Sequence, residues 1–215
     1  MAKKDDAGGD GPPVPDLIPD RPTLKSVRET ARDCQACRLY KTGTQTVFGE
    51  GPTRPTLMMV GEQPGDAEDV AGHPFVGPAG KLLDRALEEA GIDRTRVYVT
   101  NVVKHFKWEP RGKRRIHKKP NAAEISACRP WLDTEIALTR PRVIVCLGAT
   151  AAQALLGRAF KVSQHRGTFV PSSLAPRVMA TVHPSSILRA PDEESRHADL
   201  RRFVADLKHA AAELE

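Results

Sequence analysis

Residues 56–65 read Thr56-Leu57-Met58-Met59-Val60-Gly61-Glu62-Gln63-Pro64-Gly65, an apolar run that breaks into a polar turn. A short run rich in branched and apolar residues suits a strand covered on both faces, and residues 56–60 are assigned as one. Three further runs behave in the same way, at residues 97–100, 142–147 and 178–182. Helical patterns lie between them. Leu82, Leu83, Ala86, Leu87 and Ala90 follow the 3.6-residue period and stop at Gly91. Asn121 with Glu124 has the spacing of a capping box and opens a helix carrying Cys128. Residues 149–156 form another helix ending at Gly157, and residues 193–214 a last one, with Leu200, Phe203, Val204 and Leu207 facing inward. Alternating strands and helices imply an α/β fold, a three-layer α/β/α sandwich with a central four-stranded parallel sheet.

Each strand runs into polar residues. The first meets Gly61 to Gly65, the second Asn101, the third Gly148-Ala149-Thr150 and the fourth His183-Pro184-Ser185-Ser186. In an open parallel sheet the carboxyl ends of the strands border the binding crevice, so these loops should face one site. Taken singly, each motif reads equally well as an ordinary turn. Their convergence is what sets them apart from ordinary turns.

Residues 101–120 read NVVKHFKWEPRGKRRIHKKP, with eight Lys or Arg against one Glu109, a local charge of +8 − 1 = +7 in a chain whose total is +6. The rest of the protein is therefore nearly neutral, and the patch points to a polyanion. His117 sits near its end. A solvated basic loop is the plain alternative. At 215 residues with 40% apolar content, the chain can close one hydrophobic core. Residues 1–22 hold five Pro and three Gly and are assigned as a flexible tail before a single domain over 23–215. No apolar stretch approaches membrane-spanning length and the start has no secretion signal, which implies a cytoplasmic protein without a membrane partner.

Four cysteines, Cys34, Cys37, Cys128 and Cys146, combine a close pair with two distant thiols. In a reducing compartment that arrangement reads as four thiolates of one metal centre, either zinc or an iron-sulfur cluster. The alternative is that Cys128 and Cys146 are ordinary buried residues.

In order along residues 31–210, the CxxC of Cys34 and Cys37, the Gly61–Gly65 motif, the His73-Pro74-Phe75-Val76-Gly77-Pro78 loop, Thr100-Asn101, Cys128, Cys146 and the His183 motif resemble the iron-sulfur branch of the uracil-DNA glycosylase superfamily. The resemblance implies that fold, uracil-containing DNA as partner, single- or double-stranded, and a [4Fe-4S] cluster on the four cysteines, with zinc as the alternative. Two departures from turnover members, Gln63 in the first motif and the insertion Lys113-Arg114-Arg115-Ile116-His117, match the UdgX-type members. Those excise uracil and stay joined to the DNA through the histidine of the insertion, by position His117.

The same resemblance implies the other roles. Phe75 stacks on the extruded base, Asn101 pairs with its edge beside Gly61, and His183 donates to the departing uracil. Glu62 stabilises the sugar cation or orients His117, and Gln63 holds the water or imidazole near the anomeric carbon. Ser185, Ser186 and Arg189 press on the DNA backbone. Lys113, Arg114 and Arg115 contact phosphates or fold inward to hold the histidine loop. The expected protein is a monomer, cytoplasmic and nucleoid-associated. A multiple-turnover iron-sulfur glycosylase and a non-enzymatic metal-cluster nucleic-acid binder are the competing readings.

Overall fold

The computed structural model describes residues 8–214. In chain order its elements are α1 (Val14–Leu17), α2 (Leu24–Ala31), β1 (Leu57–Gly61), α3 (Asp66–Ala71), α4 (Pro78–Glu89), β2 (Val97–Asn101), β3 (Trp108–Arg111) and β4 (Arg114–His117). They continue with α5 (Ala122–Thr139), β5 (Val143–Leu147), α6 (Ala149–Leu156), α7 (Val162–His165), β6 (Phe169–Val170), β7 (Arg177–Thr181), α8 (Pro184–Leu188) and α9 (Glu193–Ala211). The main sheet has the order β2-β1-β5-β7-β6. Its first four strands are the four apolar runs, paired in parallel. The two-residue β6 adds an antiparallel edge that the sequence did not announce.

All residues of these four strands are buried except Arg177, so both faces of the sheet are covered. Alternate side chains divide between two cores. Met58, Val60, Tyr98, Ile144, Cys146 and Ala180 face α2, α5 and α6. Leu57, Met59, Val99, Val145 and Met179 face α4, α8 and α9. This is the expected α/β/α layering. The registers Gly61 to Asn101 and Leu147 to Thr181 bring the carboxyl ends of the strands level, which gathers the four polar turns.

The helix ends follow their local signals. Asn121 Oδ1 accepts from the Glu124 N–H at 2.8 Å while Glu124 Oε2 accepts from the Asn121 N–H at 2.7 Å, completing the capping box of α5. Pro78 opens α4, and Gly91 just beyond it adopts φ 75°. α6 ends at Gly157 as read from the sequence.

Two segments differ from expectation. Residues 1–7 of the expected tail lie outside the described residues, but from residue 8 the segment is packed. Val14 is buried, Gly11 N–H donates to the Gln35 carbonyl at 3.2 Å, and Gly8 bridges to Cys37. The Pro and Gly content concealed a small apolar patch, Val14 with Leu17 and Ile18, which docks on the core beside α5. The basic run is also more than a loop, because β3 and β4 pair antiparallel from Trp108 to His117. Gly112 opens its two-residue turn at φ 59°, a conformation glycine supplies without steric penalty. Among the described residues no helix is long and apolar enough to cross a membrane.

Phe203 is fully buried between α9 and the sheet, on the far side from the cysteines. Phe203→Ala is expected to lower unfolding stability by about 3–5 kcal/mol, read as a lower urea midpoint with an unchanged slope.

Candidate active site

The four strand-end turns, the Phe75 loop and the end of β4 enclose a cleft of about 700 Å³. Its floor depends on the missing side chain of Gly61. A Cβ there would lie 2.3 Å from Asn101 Oδ1 and 2.9 Å from Phe75 Cζ, so only glycine lets the amide and the ring approach. Phe75 adopts φ 59°, uncommon for a bulky residue, and Gly80 makes this possible because a Cβ there would strike the Phe75 carbonyl at 1.7 Å. The Phe75 and His183 rings lie nearly parallel with centroids 6.3 Å apart. Asn101 closes β2 and is buried.

His183 caps α8. The Ser185 N–H donates to His183 Nδ1 at 3.1 Å, and since a backbone amide can only donate, Nδ1 accepts. The proton of the neutral ring is therefore on Nε2. Burial pushes the imidazole pKa down to about 4, with Arg189 and His117 acting in the same direction against the pull of Glu62. At neutral pH His183 is an uncharged donor.

Glu62 stands between two partners. Oε1 is 3.2 Å from His117 Nε2, and Oε2 accepts from the Thr150 hydroxyl. Burial is the largest single influence and opposes ionisation. The hydrogen bonds from His117 and Thr150, with the nearby His117 and His183 rings, still hold the carboxyl below its ordinary range. An ionised carboxylate thus faces the cleft with the half-exposed His117 side chain beside it.

The segment carrying His117 is fixed from two directions. Arg115 donates from Nε to Asp66 Oδ1 at 2.5 Å and from Nη1 to Asp69 Oδ2 at 2.6 Å. Its guanidinium also lies over the rings of Phe106 and Trp108, at 5.5 and 5.6 Å. Of the two roles open to Arg115, phosphate contact or inward brace, the structure has the brace. Gln63 Nε2 donates to the carbonyls of Lys107 and Lys118 at 3.1 and 3.0 Å, and its Oε1 accepts from the Lys107 N–H at 3.2 Å. Both ends of the amide are taken up at the roots of β3 and β4. Gln63 was expected to hold a water or the imidazole; the bonds its amide makes here are to the hairpin.

Lys113 and Arg114 are exposed at the hairpin tip, and Arg189 is exposed at the cleft rim. Ser186 donates to the His183 carbonyl at 2.7 Å, and Ser185 Oγ lies 2.8 Å from His183 Nδ1. The serine hydroxyls shape their own turn, which the phosphate-contact expectation did not include. One site residue was missed, and so was the partner of another. Glu68, at the third position of α3, accepts from the N–H groups of Gly65 and Gly77 at 3.1 and 2.8 Å and ties the first motif to the Phe75 loop. Its spacing from Gly65 is a capping signal visible in the sequence. Thr150 carried no sequence signal for its bond to Glu62.

The four cysteines are free thiols and all buried. Burial pushes Cys37 up to about 11 and both Cys128 and Cys146 up to about 12. Cys34 and Cys37 lie near enough to Cys128 to raise it further. The Trp131 indole donates to Cys34 Sγ at 3.3 Å and the Lys104 N–H to Cys128 Sγ at 3.2 Å, bonds that suit electron-rich sulfur. Soft thiols buried with N–H donors aimed at them fit a thiolate-bound metal group. A single zinc needs its sulfurs about 2.3 Å from one point. Among the described residues no three His, Cys, Asp or Glu side chains converge in that way.

Residues 48–208 match the family described as the uracil DNA glycosylase superfamily. A Type-4 uracil-DNA glycosylase of Pyrobaculum aerophilum is 38% identical over 175 residues, covering 78% of this chain and 86% of that protein. A Type-4 uracil-DNA glycosylase of Thermotoga maritima is 38% identical over 184 residues, covering 85% and 90%. That of Archaeoglobus fulgidus is 34% identical over 196 residues, covering 84% and 92%.

His183 and the buried His105, also pushed down to about 4 by burial, both start from an ordinary value of 6.5. The unfolded chain therefore binds more protons than the native one between about pH 6.5 and about 4, and stability falls as the pH drops through that window. The urea midpoint is expected to be lower at pH 5 than at pH 7, with a smaller difference in His105→Gln. A midpoint unchanged between the two pH values contradicts the depressed imidazoles.

Proposed function

The chain belongs to the uracil DNA glycosylase superfamily, and on that footing we propose that it excises uracil from DNA and then keeps the abasic sugar on His117. The observation that carries this reading is the 3.2 Å approach of His117 Nε2 to Glu62 Oε1 at the cleft, by a ring on a hairpin braced through Arg115 and Gln63. A solvated basic loop would need neither brace.

The chemistry follows from the groups available. A uracil nucleotide, rotated out of the stack or taken from a single strand, enters the cleft. Phe75 offers a ring face, and the Asn101 amide offers the donor and acceptor that a pyrimidine edge requires. As the glycosidic bond breaks, its electron pair leaves with uracil and negative charge gathers on the uracil oxygens. The His183 Nε2–H donates to that charge, helping the transition state more than the bound substrate. The Glu62 carboxylate offsets the positive charge left on the sugar.

A hydrolytic enzyme would now admit water. In the proposed reaction the imidazole of His117 takes that position instead. The ring nitrogen bearing the lone pair forms the bond to the anomeric carbon, and the proton on the other ring nitrogen is lost, with Glu62 the nearby acceptor. The product is a neutral N-alkyl imidazole, a poor leaving group, so the reaction stops after one turnover. Lys113, Arg114 and Arg189 supply exposed positive charge for the phosphates.

Cys34, Cys37, Cys128 and Cys146 would hold a [4Fe-4S] cluster. When bound, that group would cross-link the amino-terminal segment to α5 and β5, a structural role. The protein as purified should then be yellow-brown with a broad visible absorption band, and a colourless protein of full activity contradicts the cluster. The partner is uracil-containing DNA, met by a monomer in the cytoplasm.

Mixed with a uracil-containing single-stranded oligonucleotide, the protein should give a heat-stable shifted band on a denaturing gel. His117→Ser should lose that band and release uracil in excess of enzyme, because water can reach the sugar. Free uracil in excess of the unaltered enzyme, with no shifted band, establishes the hydrolytic reading. A gel shift under native conditions with no uracil release establishes the non-enzymatic one.

A further inference from the structure

Beneath the cleft lies an ion pair that the chemistry above does not use. Lys104 and Glu135 have side chains 1% and 0% exposed, with Nζ 2.5 Å from Oε2. Around them every bond is made. Lys104 Nζ also donates to Thr100 Oγ1 at 2.7 Å and to the Asn101 carbonyl at 2.8 Å. Glu135 Oε1 accepts from the Tyr98 hydroxyl, the Thr100 hydroxyl and the Gly49 N–H, each at 3.0 Å. We propose that Lys104 and Glu135 are positioning residues, whose buried pair fixes Asn101 in the orientation needed to read uracil.

Stability alone does not account for such a pair, since well-packed apolar residues of similar volume serve a core as well or better. Its location does. Lys104 lies three residues beyond Asn101, and its side chain turns back to hold the Asn101 carbonyl, the last one of β2. The amide side chain on that same residue works in a confined space, 2.3 Å from where a Cβ of Gly61 would be. A small rotation of residue 101 would displace both hydrogen-bonding atoms from the pyrimidine edge, and recognition of this kind tolerates errors of only about 0.5 Å.

The pair also decides what Asn101 is fixed to. Cys128, Trp131 and Glu135 are spaced i, i+3 and i+7 and share one face of α5. The first is a thiol of the cysteine group, the second donates to Cys34, and the third holds Lys104. Lys104 completes the connection, its backbone N–H on Cys128 Sγ and its ammonium on Asn101. One rigid helix therefore carries both the thiol site and the support of the base-reading residue.

The inference rests on Asn101 as the base reader, so the test includes Asn101→Ala. The decisive variant is Lys104→Met with Glu135→Leu, which removes both charges together and leaves no buried ion unpaired. Its melting temperature should fall, because the Gly49 N–H and the Tyr98 and Thr100 hydroxyls lose their acceptor, while its visible absorbance and its affinity for uracil-containing oligonucleotide should stay near those of the unaltered protein. Its single-turnover rate of uracil release should fall about tenfold to a hundredfold, the scale of a misplaced reacting group. Should the double variant fail to fold, Thr100→Val removes only the bridging hydroxyl and should slow release by a smaller factor at unchanged DNA affinity. Asn101→Ala should lose release altogether, and full activity in that variant overturns the reading of Asn101 itself. If Asn101→Ala is inactive while the folded double variant, or Thr100→Val in its place, releases uracil at the unaltered rate, the positioning role is overturned.

Discussion

A ribbon of two four-residue strands with mostly exposed side chains cannot hold its shape in water unaided. Yet the β3–β4 hairpin keeps His117 at the mouth of the cleft, and the Arg115 guanidinium makes this possible. It is pinned between Asp66 and Asp69 and covered by Phe106 and Trp108. Asp69 is fully buried and would be an uncompensated charge without that partner, so bracing the hairpin and satisfying the core are one interaction. Gln63 adds hydrogen bonds to the roots of both strands. The segment that looks most like a flexible basic arm is thereby tied to α3 and to the first strand-end turn.

Within the cleft, environment divides the labour among three titratable groups. His183 is partly buried and bonded at Nδ1 by a backbone amide, which keeps it neutral with its one N–H on Nε2. Glu62 stays ionised because Thr150 and His117 outweigh its burial. His117 remains half-exposed, where substrate can reach it. In the proposed chemistry, a carboxylate flanked by two histidines of unlike surroundings would stabilise an anion on one side of the broken bond and a cation on the other.

Much of this was legible in the sequence because the signals were local. The four strands are short runs rich in branched and apolar residues, and the Asn121–Glu124 and Gly157 caps are read from one or two residues. The convergence at the strand ends follows from parallel topology. What escaped depends on contacts between distant residues. Nothing within residues 107–118 shows that Gln63 closes the base of a hairpin, or that Arg115 turns towards Asp66 and Asp69. The packing of Val14 was hidden by its Pro- and Gly-rich neighbours. Thr150 and the Lys104–Glu135 pair acquire their roles only when α5, α6 and the sheet are brought together.

What separates adduct formation from hydrolysis is the atom that captures the sugar once uracil has left. Digestion of protein incubated with a uracil-containing oligonucleotide, followed by tandem mass spectrometry of the cross-linked peptide, locates that atom's residue. The deoxyribose remnant is expected on His117. A remnant on any other side chain, or only unmodified peptide beside free abasic DNA, contradicts that expectation.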